Sequence, residues 1–269
     1  MMPCPDMKKE PNLIITPAAF PVPLIILPET DSTNNHLTQL CNEQPSAVQE
    51  FTTVIAERQT AGKGQRGNSW ESEDCRNITF SFVLYPTFIE ARRQFILSQI
   101  VSLSIKEELD EWTEGVSIKW PNDIYWNERK ICGILIENDL SGHHIGRSIS
   151  GIGVNINQET FRSNTPNPVS LKQITGQEHD RYLILANMMK RVKKYYTLLQ
   201  TDTSGDAANR IAERYAHSLF RREGFHRYAD ANGEFLARLL RVGLDGRFVL
   251  EDPTGKRREY LFKEVQYML

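Results

Sequence analysis

The distribution of apolar and polar residues along the chain predicts a sheet of short strands with helices packed against it. Apolar or β-branched runs predict strands at residues 24–27, 50–57, 78–84, 116–120, 130–137 and 145–155. A cluster of N-cap residues at 29–34 predicts the start of a helix, and further helices are predicted at 181–199 and 207–220. Short turns join the middle strands, which indicates a largely antiparallel sheet and an α+β fold.

A long helix is predicted within residues 89–112. Apolar side chains recur there at intervals of four, four, four and three residues, at Leu97, Val101, Ile105, Leu109 and Trp112. This spacing places them on one side of a helix. We therefore expect an amphipathic helix with a single buried face.

The pattern changes after Glu223. Short alternating strands follow, separated by turns that contain Gly233, Gly246 and Gly255. Such a pattern is typical of a small β-barrel. We therefore predict two domains, residues 1–222 and residues 223–269.

The charge balance and the N-terminal apolar stretch exclude some classes of function. The chain has 269 residues, of which 32 are lysine or arginine and 34 are aspartate or glutamate, for a net charge of -2. General binders of nucleic acids or membrane surfaces carry an excess of positive charge, so both classes are disfavoured. An apolar stretch at 13–27 imitates a secretory signal but is interrupted by Pro17, Pro21 and Pro23. We expect no signal and no membrane span.

The cysteines indicate a reducing environment. Cys4, Cys41, Cys75 and Cys132 are widely separated, and no C-x-x-C pair occurs. Neither a zinc site nor a disulfide framework has this spacing. We therefore expect four reduced thiols and a cytoplasmic location.

Four motifs carry candidate chemistry, and each alone also has an ordinary structural interpretation. The loop at 59–70 combines three glycines with Lys63 and Arg66, which suits an anion, although a solvated turn is equally compatible. KWPND at 119–123 would orient a polar substrate, but a hairpin corner uses the same residues. Residues 130–137 resemble a central strand that begins with Lys130 and ends with Glu137. Glycines within the strand at 151–157 indicate close approach of a ligand or backbone.

The order of these motifs resembles that of the biotin protein ligases. The matching segments are DSTN at 31–34, Q-x-x-G-K-G at 59–64, KWPND at 119–123, K-x-x-G-I-L at 130–135 and GIGVN at 151–155. The spacing between KWPND and K-x-x-G is far more specific than the glycine loop. The resemblance implies a catalytic domain like that of class II aminoacyl-tRNA synthetases, with a mixed, largely antiparallel sheet flanked by helices and a small C-terminal β-barrel.

The resemblance also implies a reaction. Biotin is activated with ATP to biotinyl-5′-AMP, and the biotinyl group passes to a lysine of a biotin carboxyl carrier protein. A fixed ammonium in a shielded pocket stabilises the charge that both steps develop. We expect Mg²⁺ to arrive with ATP and to be held mainly by phosphates, with no dedicated metal site in the protein.

Site residues follow by matching this sequence to the family's motifs. Lys130 and Asp123 are the expected catalytic residues, Lys130 at the carboxylate and α-phosphate and Asp123 toward the acceptor lysine. The expected biotin-binding residues are Ser32, Thr33, Gln59, Gly62, Lys63, Gly133 and Gly151. The expected ATP-binding residues are Lys63, Gly64, Gln65, Arg66, Trp70, Lys119, Asn122, Lys130 and Asn155. For Asp123, the alternative is a turn aspartate bonded to its own backbone.

The glycine loop departs from the family's commonest form, GRGRRGR. Lys63, Gln65 and Asn68 replace three of its arginines. Lys63 keeps a charge but lacks the bidentate fork of arginine. Gln65 removes a cation that in the family helps to retain the adenylate, so we expect biotinyl-5′-AMP to leave faster here. A Gln65→Arg variant that releases it no more slowly would refute this hypothesis.

Two other functions would leave their own marks on the sequence. A lipoate or octanoate ligase or transferase of the same superfamily would carry an R-R-x-x-G-G-G-x-V-x-H loop, which this sequence lacks. A biotin-responsive DNA-binding repressor would carry a helix-turn-helix before DSTN, and only thirty residues precede Asp31. We therefore expect the monofunctional type, with no DNA binding and with a homodimer possible.

Overall fold

The computed structural model describes residues 13–14, 20–64, 68–162 and 167–268. These residues form two sheets and five α-helices, and they include short 3₁₀ turns. In chain order the elements are β1 (Leu13–Ile14), β2 (Leu24–Thr30), α1 (Thr33–Glu43), β3 (Thr53–Gln59), β4 (Ile78–Leu84), α2 (Phe95–Leu109), β5 (Val116–Lys119), β6 (Asp123–Trp126), β7 (Arg129–Ser141), β8 (His144–Val154), α3 (Leu171–Thr175), α4 (Arg181–Thr201), α5 (Asp206–His217), β9 (His226–Asp230), β10 (Gly233–Val242), β11 (Phe248–Glu251), β12 (Arg257–Tyr260) and β13 (Gln266–Tyr267).

The larger sheet has eight strands in the order β1-β2-β3-β4-β8-β7-β6-β5. Its pairs are antiparallel except for β2 with β3, which run parallel and are connected through α1. The mixed, largely antiparallel sheet flanked by helices is thus confirmed. The sequence pattern did not resolve β6 as a strand, and the pattern gave no signal for the short helix α3.

Strand alternation gives this sheet two chemically different faces. Residues directly opposite each other on paired strands share a face. One cross-strand row therefore runs through Ala56, Thr79, Gly153, Gly133, Asp123 and Lys119. We call the side of the sheet that carries this row the pocket face. The neighbouring row, on the opposite side, consists of Ile78, Val154, Cys132, Ile124 and Ile118, and we call that side the helix face.

The helix face is covered by α2, α4 and α5, which share one apolar cluster with it. Helix α2 is shorter than the predicted 89–112 because Ala91–Arg93 forms a separate 3₁₀ turn. The expectation of a single buried face is also wrong. Most of α2 is buried, including Gln99, Ser102 and Ser104, because it lies between the sheet and two other helices.

The smaller sheet has five antiparallel strands in the order β12-β11-β10-β9-β13. It is the all-β unit that the glycine turns predict. It packs directly on the larger sheet, since the Trp120 indole stacks on Phe248 with ring centroids 4.8 Å apart. The Trp120 Nε1–H also donates to the carbonyl of Gly246 at 3.0 Å. A division into domains at residue 223 stays a prediction.

The cysteines are not all free thiols. Cys41 and Cys132 are free and buried, and burial raises the pKa of the Cys132 thiol well above its usual value. Cys75 is disulfide-bonded, so the expectation of four reduced thiols is wrong for this residue. Cys4 lies outside the described residues. Within the part of the chain that the structure describes, no helix is both long and apolar enough to cross a membrane.

Candidate functional site

A cavity of about 1060 Å³ opens on the pocket face. Both sheets line it, the smaller one through the segment that leads into β13, including Phe262 and Tyr267. Twelve of the residues expected from the motifs lie in its wall: Ser32, Thr33, Gln59, Lys63, Gly64, Trp70, Lys119, Asn122, Asp123, Lys130, Gly133 and Gly151. Residues from five separate motifs therefore meet in one cavity.

A β-bulge directs Lys130 into this cavity. The register between β6 and β7 shifts so that Ile124 lies opposite Cys132 while Tyr125 lies opposite Lys130. Ile131 is the extra residue. Gly133 is on the pocket face, and Lys130 lies three residues before it. Regular alternation would therefore put Lys130 on the helix face, and the extra residue of the bulge places it on the pocket face instead. The bulge keeps its backbone bonds, because the Ile131 carbonyl accepts from the N–H of Asn155 at 2.9 Å.

Lys130 and Asp123 form an ion pair in the cavity wall. The Lys130 Nζ lies 2.7 Å from Asp123 Oδ1, and the two side chains are 20% and 22% exposed. Partial burial strengthens such a pair relative to a surface pair. The alternative interpretation of Asp123, a turn bond to its own backbone, does not occur among the hydrogen bonds of the described residues, and its carboxylate points to the lysine.

Glycines form the floor of the cavity beneath Trp70. A Cβ atom at Gly153 would lie 2.2 Å from Cε2 of Trp70, and one at Gly133 would lie 2.9 Å from its Cζ3. The indole therefore lies flat against a part of the sheet that only glycine leaves open. The Lys130 Nζ is 5.7 Å from the centre of the same ring. The indole and the ammonium thus share one small region.

A hydrogen-bonded chain of polar side chains forms the opposite end of the cavity. Gln59 Oε1 accepts from both the N–H and the hydroxyl of Thr33, at 2.8 and 3.2 Å. The Ser81 hydroxyl lies 2.7 Å from Thr33 Oγ1 and 2.5 Å from Asn34 Oδ1. Asn34 Nδ2 donates to Glu137 at 2.7 Å. These contacts fix the rotamers of the polar groups that face the cavity.

Ser32 and Gly151 also shape this part of the cavity. Ser32 occupies the N-cap position of α1, but its side chain makes no capping hydrogen bond to the described residues. Its hydroxyl is therefore available to the cavity. A Cβ atom at Gly151 would lie 2.1 Å from Asn34 Oδ1, so Gly151 is small because the Asn34 side chain crosses it.

The cavity is positively charged although the chain is slightly acidic. Among its described lining residues, four are lysines, Lys63, Lys119, Lys130 and Lys263, and one is a carboxylate, Asp123. The local formal charge is thus 4 − 1 = +3. A partly buried site with this excess attracts anions and concentrates them.

The KWPND turn is fixed to the neighbouring strand. Asn122 Nδ2 donates to the carbonyl of Ile134 at 2.6 Å, and the Ile134 N–H donates to the Asn122 carbonyl at 3.0 Å. Lys119 donates to the Tyr125 hydroxyl at 2.9 Å. Burial lowers the pKa of the Lys119 ammonium, the positive charges of Lys130 and Arg221 lower it further, and Asp123 opposes them.

Two expected residues lie outside the cavity wall. Gly62 supports the glycine loop, since its carbonyl accepts from the Trp70 N–H at 2.9 Å. Asn155 is buried at the end of β8, where its Nδ2 donates to the carbonyl of Val169 at 3.1 Å. Its Oδ1 has no hydrogen-bond partner in the described structure. Gln65 and Arg66 lie outside the described residues.

Sequence reasoning missed several lining residues. Gly153 carried a signal, as a glycine inside a strand, but was not assigned to the site. Asn34 belongs to the DSTN motif and was likewise left out. Tyr125, Lys263 and Tyr267 carried no usable signal, because they reach the cavity only through strand pairing and through the contact between the two sheets. In the described ranges, no three histidine, cysteine, aspartate or glutamate residues cluster to hold a metal ion.

Comparison with known proteins shows what the chain is similar to. The sequence profile of the Biotin/lipoate A/B protein ligase family matches residues 27–155, the span that contains the glycine loop, the KWPND turn and Lys130. Residues 27–155 therefore resemble a domain of that family.

The names of individual relatives agree with this similarity. The Biotin--[acetyl-CoA-carboxylase] ligase of Paracoccus denitrificans is 28% identical over 86% of this chain and 95% of its own length. The Bifunctional ligase/repressor BirA of Bacillus subtilis is 28% identical over 87% of this chain and 70% of its own length. The chain spans 54% of the corresponding Escherichia coli protein.

A solved structure resembles the whole fold. The biotin protein ligase from Aquifex aeolicus in complex with biotin and ATP superposes with a TM-score of 0.74 at 28% identity, covering 91% of this chain and 99% of that one. The similarity therefore includes both sheets, and it extends beyond residues 27–155.

Proposed function

We propose that this chain is a biotin protein ligase, which converts biotin and ATP to biotinyl-5′-AMP and pyrophosphate and then transfers the biotinyl group to a protein lysine. The observation that carries the proposal is the Lys130–Asp123 pair at 2.7 Å beside a glycine floor, in a cavity with a local charge of +3. Relatives named as biotin ligases support it. The lipoate or octanoate alternative is not favoured.

The polar end of the cavity suits the ureido ring of biotin. That ring is neutral and presents two N–H donors and one carbonyl acceptor. The Ser32 hydroxyl and the Thr33–Gln59 pair supply complementary groups, and Ser81 and Asn34 hold them in position. Gly133 and Gly151 let the side chains of Trp70 and Asn34 lie close against the floor, and the thiophane ring and the valeryl chain of biotin would run past them.

The other end suits the nucleotide. Trp70 offers an aromatic face for adenine. Asn155 is assigned to the edge of adenine from the motif alone, because it is buried outside the cavity wall. The lysines Lys63, Lys119 and Lys130 would neutralise the phosphates, while Gly64 and Asn122 would shape the turns around them. Gln65 and Arg66 are assigned here from the motif alone.

The first step joins biotin to the α-phosphate. A carboxylate oxygen of biotin attacks the α-phosphorus, the bond from that phosphorus to the β-phosphate oxygen breaks, and pyrophosphate leaves with the electron pair. Lys130 would approach both the carboxylate and the α-phosphate, where its fixed charge stabilises the crowded oxygens. Asp123 holds the ammonium in that position without neutralising the whole cavity.

The second step transfers the biotinyl group. The ε-amine of the acceptor lysine attacks the acyl carbon of the adenylate, the bond to the phosphate oxygen breaks, and AMP leaves. The amine must lose a proton, and the carboxylate of Asp123 would accept it. An Asp123→Asn variant should therefore slow transfer to a carrier more than adenylation, and equal losses would argue against this role.

Several finer features belong to the same proposal. The acceptor is a biotin carboxyl carrier protein or the equivalent domain of a carboxylase. Mg²⁺ enters with ATP as part of the substrate, because Asp123 is the one carboxylate among the described lining residues and it is already paired with Lys130. We further expect residues 1–222 and 223–269 to be the two domains, a homodimer to be possible, a cytoplasmic location and no DNA binding.

A direct assay tests the proposed function. The protein is incubated with biotin, MgATP and a biotin carboxyl carrier domain, and mass spectrometry follows the mass of the carrier. We expect one biotinyl group to be added, with AMP and pyrophosphate as the other products. A parallel reaction with lipoate instead of biotin serves as the control. Modification with lipoate but not with biotin would reject the proposal.

A further inference from the structure

Lys119 is held in the cavity by two tyrosines from different sheets. Its Nζ lies 4.5 Å from the ring centroid of Tyr125 in β6 and 5.1 Å from that of Tyr267 in β13. It also donates a hydrogen bond to the Tyr125 hydroxyl at 2.9 Å. An ammonium over the face of a ring at such a distance is attracted to it, and this applies to Tyr267. Tyr125 contacts the ammonium through its hydroxyl, at the edge of its ring. We call these three residues the lysine clamp.

The clamp takes the place of an ion pair. Among the described residues, no carboxylate oxygen lies within 4.0 Å of the Lys119 Nζ, whereas Lys130 has Asp123. Burial lowers the pKa of Lys119, the carboxylate of Asp123 raises it from beyond 4.0 Å, and the charges of Lys130 and Arg221 lower it. The Tyr267 ring and the Tyr125 hydroxyl favour the ammonium at short range, and they leave its remaining N–H bonds free.

Tyr267 contributes its ring and not its hydroxyl. Its OH is buried and has no hydrogen-bond partner in the described structure. The backbone of Tyr267 pairs with Tyr228 in β9, and its ring packs on Phe220 and Phe248 at 5.8 and 5.7 Å. The second sheet thus holds this ring rigidly against the end of the pocket-face row.

We propose that Tyr267, together with Tyr125, positions the Lys119 ammonium toward the phosphates of the nucleotide, so that the second sheet forms part of the ATP site. Tyr267 is a positioning residue that acts through Lys119. This inference rests on the proposed function for the identity of the ligand. It adds a specific reason why the ATP site depends on residues near the C-terminal end of the described chain.

The experiment measures binding of Mg²⁺ with α,β-methylene-ATP by calorimetry, in the presence of biotin. The analogue cannot be cleaved at the bond that reacts, so the readout is affinity alone. We expect Tyr267→Leu to weaken binding about tenfold, equivalent to about 1.4 kcal/mol. Tyr267→Phe keeps the ring, so its affinity for the analogue should stay close to that of the wild-type protein. The matched control is Phe235→Leu, another ring of the second sheet that does not line the cavity.

A double-mutant cycle separates positioning from simple packing. In a Lys119→Met background the ammonium is gone, so Tyr267→Leu should then change affinity less than twofold. If it weakens binding equally in both backgrounds, or if Tyr267→Phe loses as much as Tyr267→Leu, the inference is overturned. Failure of the wild-type protein to bind the analogue would overturn it too.

A second cycle covers the case in which Tyr267→Leu does not fold, as judged by thermal unfolding. Tyr125→Phe removes the acceptor of the Lys119 hydrogen bond and keeps the ring. Its effect on analogue affinity should depend on the presence of Lys119, and independent effects would overturn the clamp. These outcomes are distinct from failure of the proposed function, which is loss of carrier biotinylation by a protein that still binds the analogue.

Discussion

The two faces of the eight-stranded sheet are built from the same strands but from different residues. In β6 and β7, Ile124 and Cys132 are fully buried against helices on one side, while Asp123 and Gly133 face the cavity on the other. The helix face carries the apolar side chains that stabilise the fold. Around the cavity the pocket face carries glycines, a carboxylate and lysines, which stabilise the fold little. Beneath α1 the same face holds a second apolar cluster that includes Val54, Ala56 and Ile149.

The two faces show that neighbouring residues of one strand can have different roles, one in stability and the next in chemistry. Because side chains alternate along a strand, a change of one position moves a substitution from one role to the other. The bulge at Ile131 is the exception that brings Lys130 onto the chemical side. The predictions below test whether the two faces are as separate as the geometry indicates.

The largest effect is expected from Lys130→Ala on the pocket face. Loss of a fixed charge at the reacting centre should slow formation of biotinyl-5′-AMP by ~10²-fold or more, the scale of removing one preorganised donor. Rapid-quench measurement of the adenylate gives the rate. Lys106→Ala is the control, since Lys106 lies on α2 and pairs with Asp110. Near-wild-type adenylate formation by Lys130→Ala would remove this residue from the mechanism.

A smaller effect is expected from Gly153→Ala. The new Cβ would lie 2.2 Å from the Trp70 ring and must displace it from the floor. Loss of one aromatic–base stack should raise the KM for ATP about tenfold with little change in the KM for biotin. Gly146→Ala in the same strand is the control, because its Cβ meets only the edge of a hairpin. An unchanged KM for ATP would mean that the floor does not position the indole.

Ile124→Val should change stability and leave the chemistry intact. Ile124 is fully buried on the helix face, and removal of one methyl group costs about 1 kcal/mol of unfolding free energy. Urea denaturation measures this loss, while the adenylation rate of the folded protein should stay within twofold. A tenfold slower adenylation with unchanged stability would contradict the separation of the two faces.

The smallest effect on activity at neutral pH is expected from Lys119→Met. Its pKa is lowered by burial, so it begins to lose its proton at a lower pH than an exposed lysine. A lysine is charged below its pKa, and kcat/KM for ATP should therefore fall as pH rises into the alkaline range. Lys119→Met should remove this part of the pH dependence. Identical profiles for the two proteins between about pH 7 and 10 would exclude a role for the Lys119 charge.

Much of the sheet could be predicted from the sequence, because strands depend on short-range patterns. The strand at Ile78–Leu84 was predicted with its observed bounds, whereas Lys130 and Asp123 were assigned through the resemblance to the biotin protein ligases, and their roles stay predictions. Alternation within a strand is a local property, and so is the chemistry of a turn such as KWPND.

The features that were missed depend on distant parts of the chain. A bulge at Ile131 cannot be read from alternation, and it decides which face Lys130 occupies. Asn34 and Glu137 meet across 103 positions, and Tyr267 reaches Lys119 from the second sheet. The buried polar residues of α2 were missed for a similar reason, since its burial depends on α4 and α5.

The central claim is that the pocket face joins the carboxylate of biotin to the α-phosphate of ATP. Biotin labelled with ¹⁸O in both carboxylate oxygens tests it directly, in a reaction with MgATP and a carrier domain. One labelled oxygen should then appear in the phosphate of AMP and the other in the amide of the biotinylated carrier. Release of unlabelled AMP, or formation of ADP and phosphate, would contradict the account.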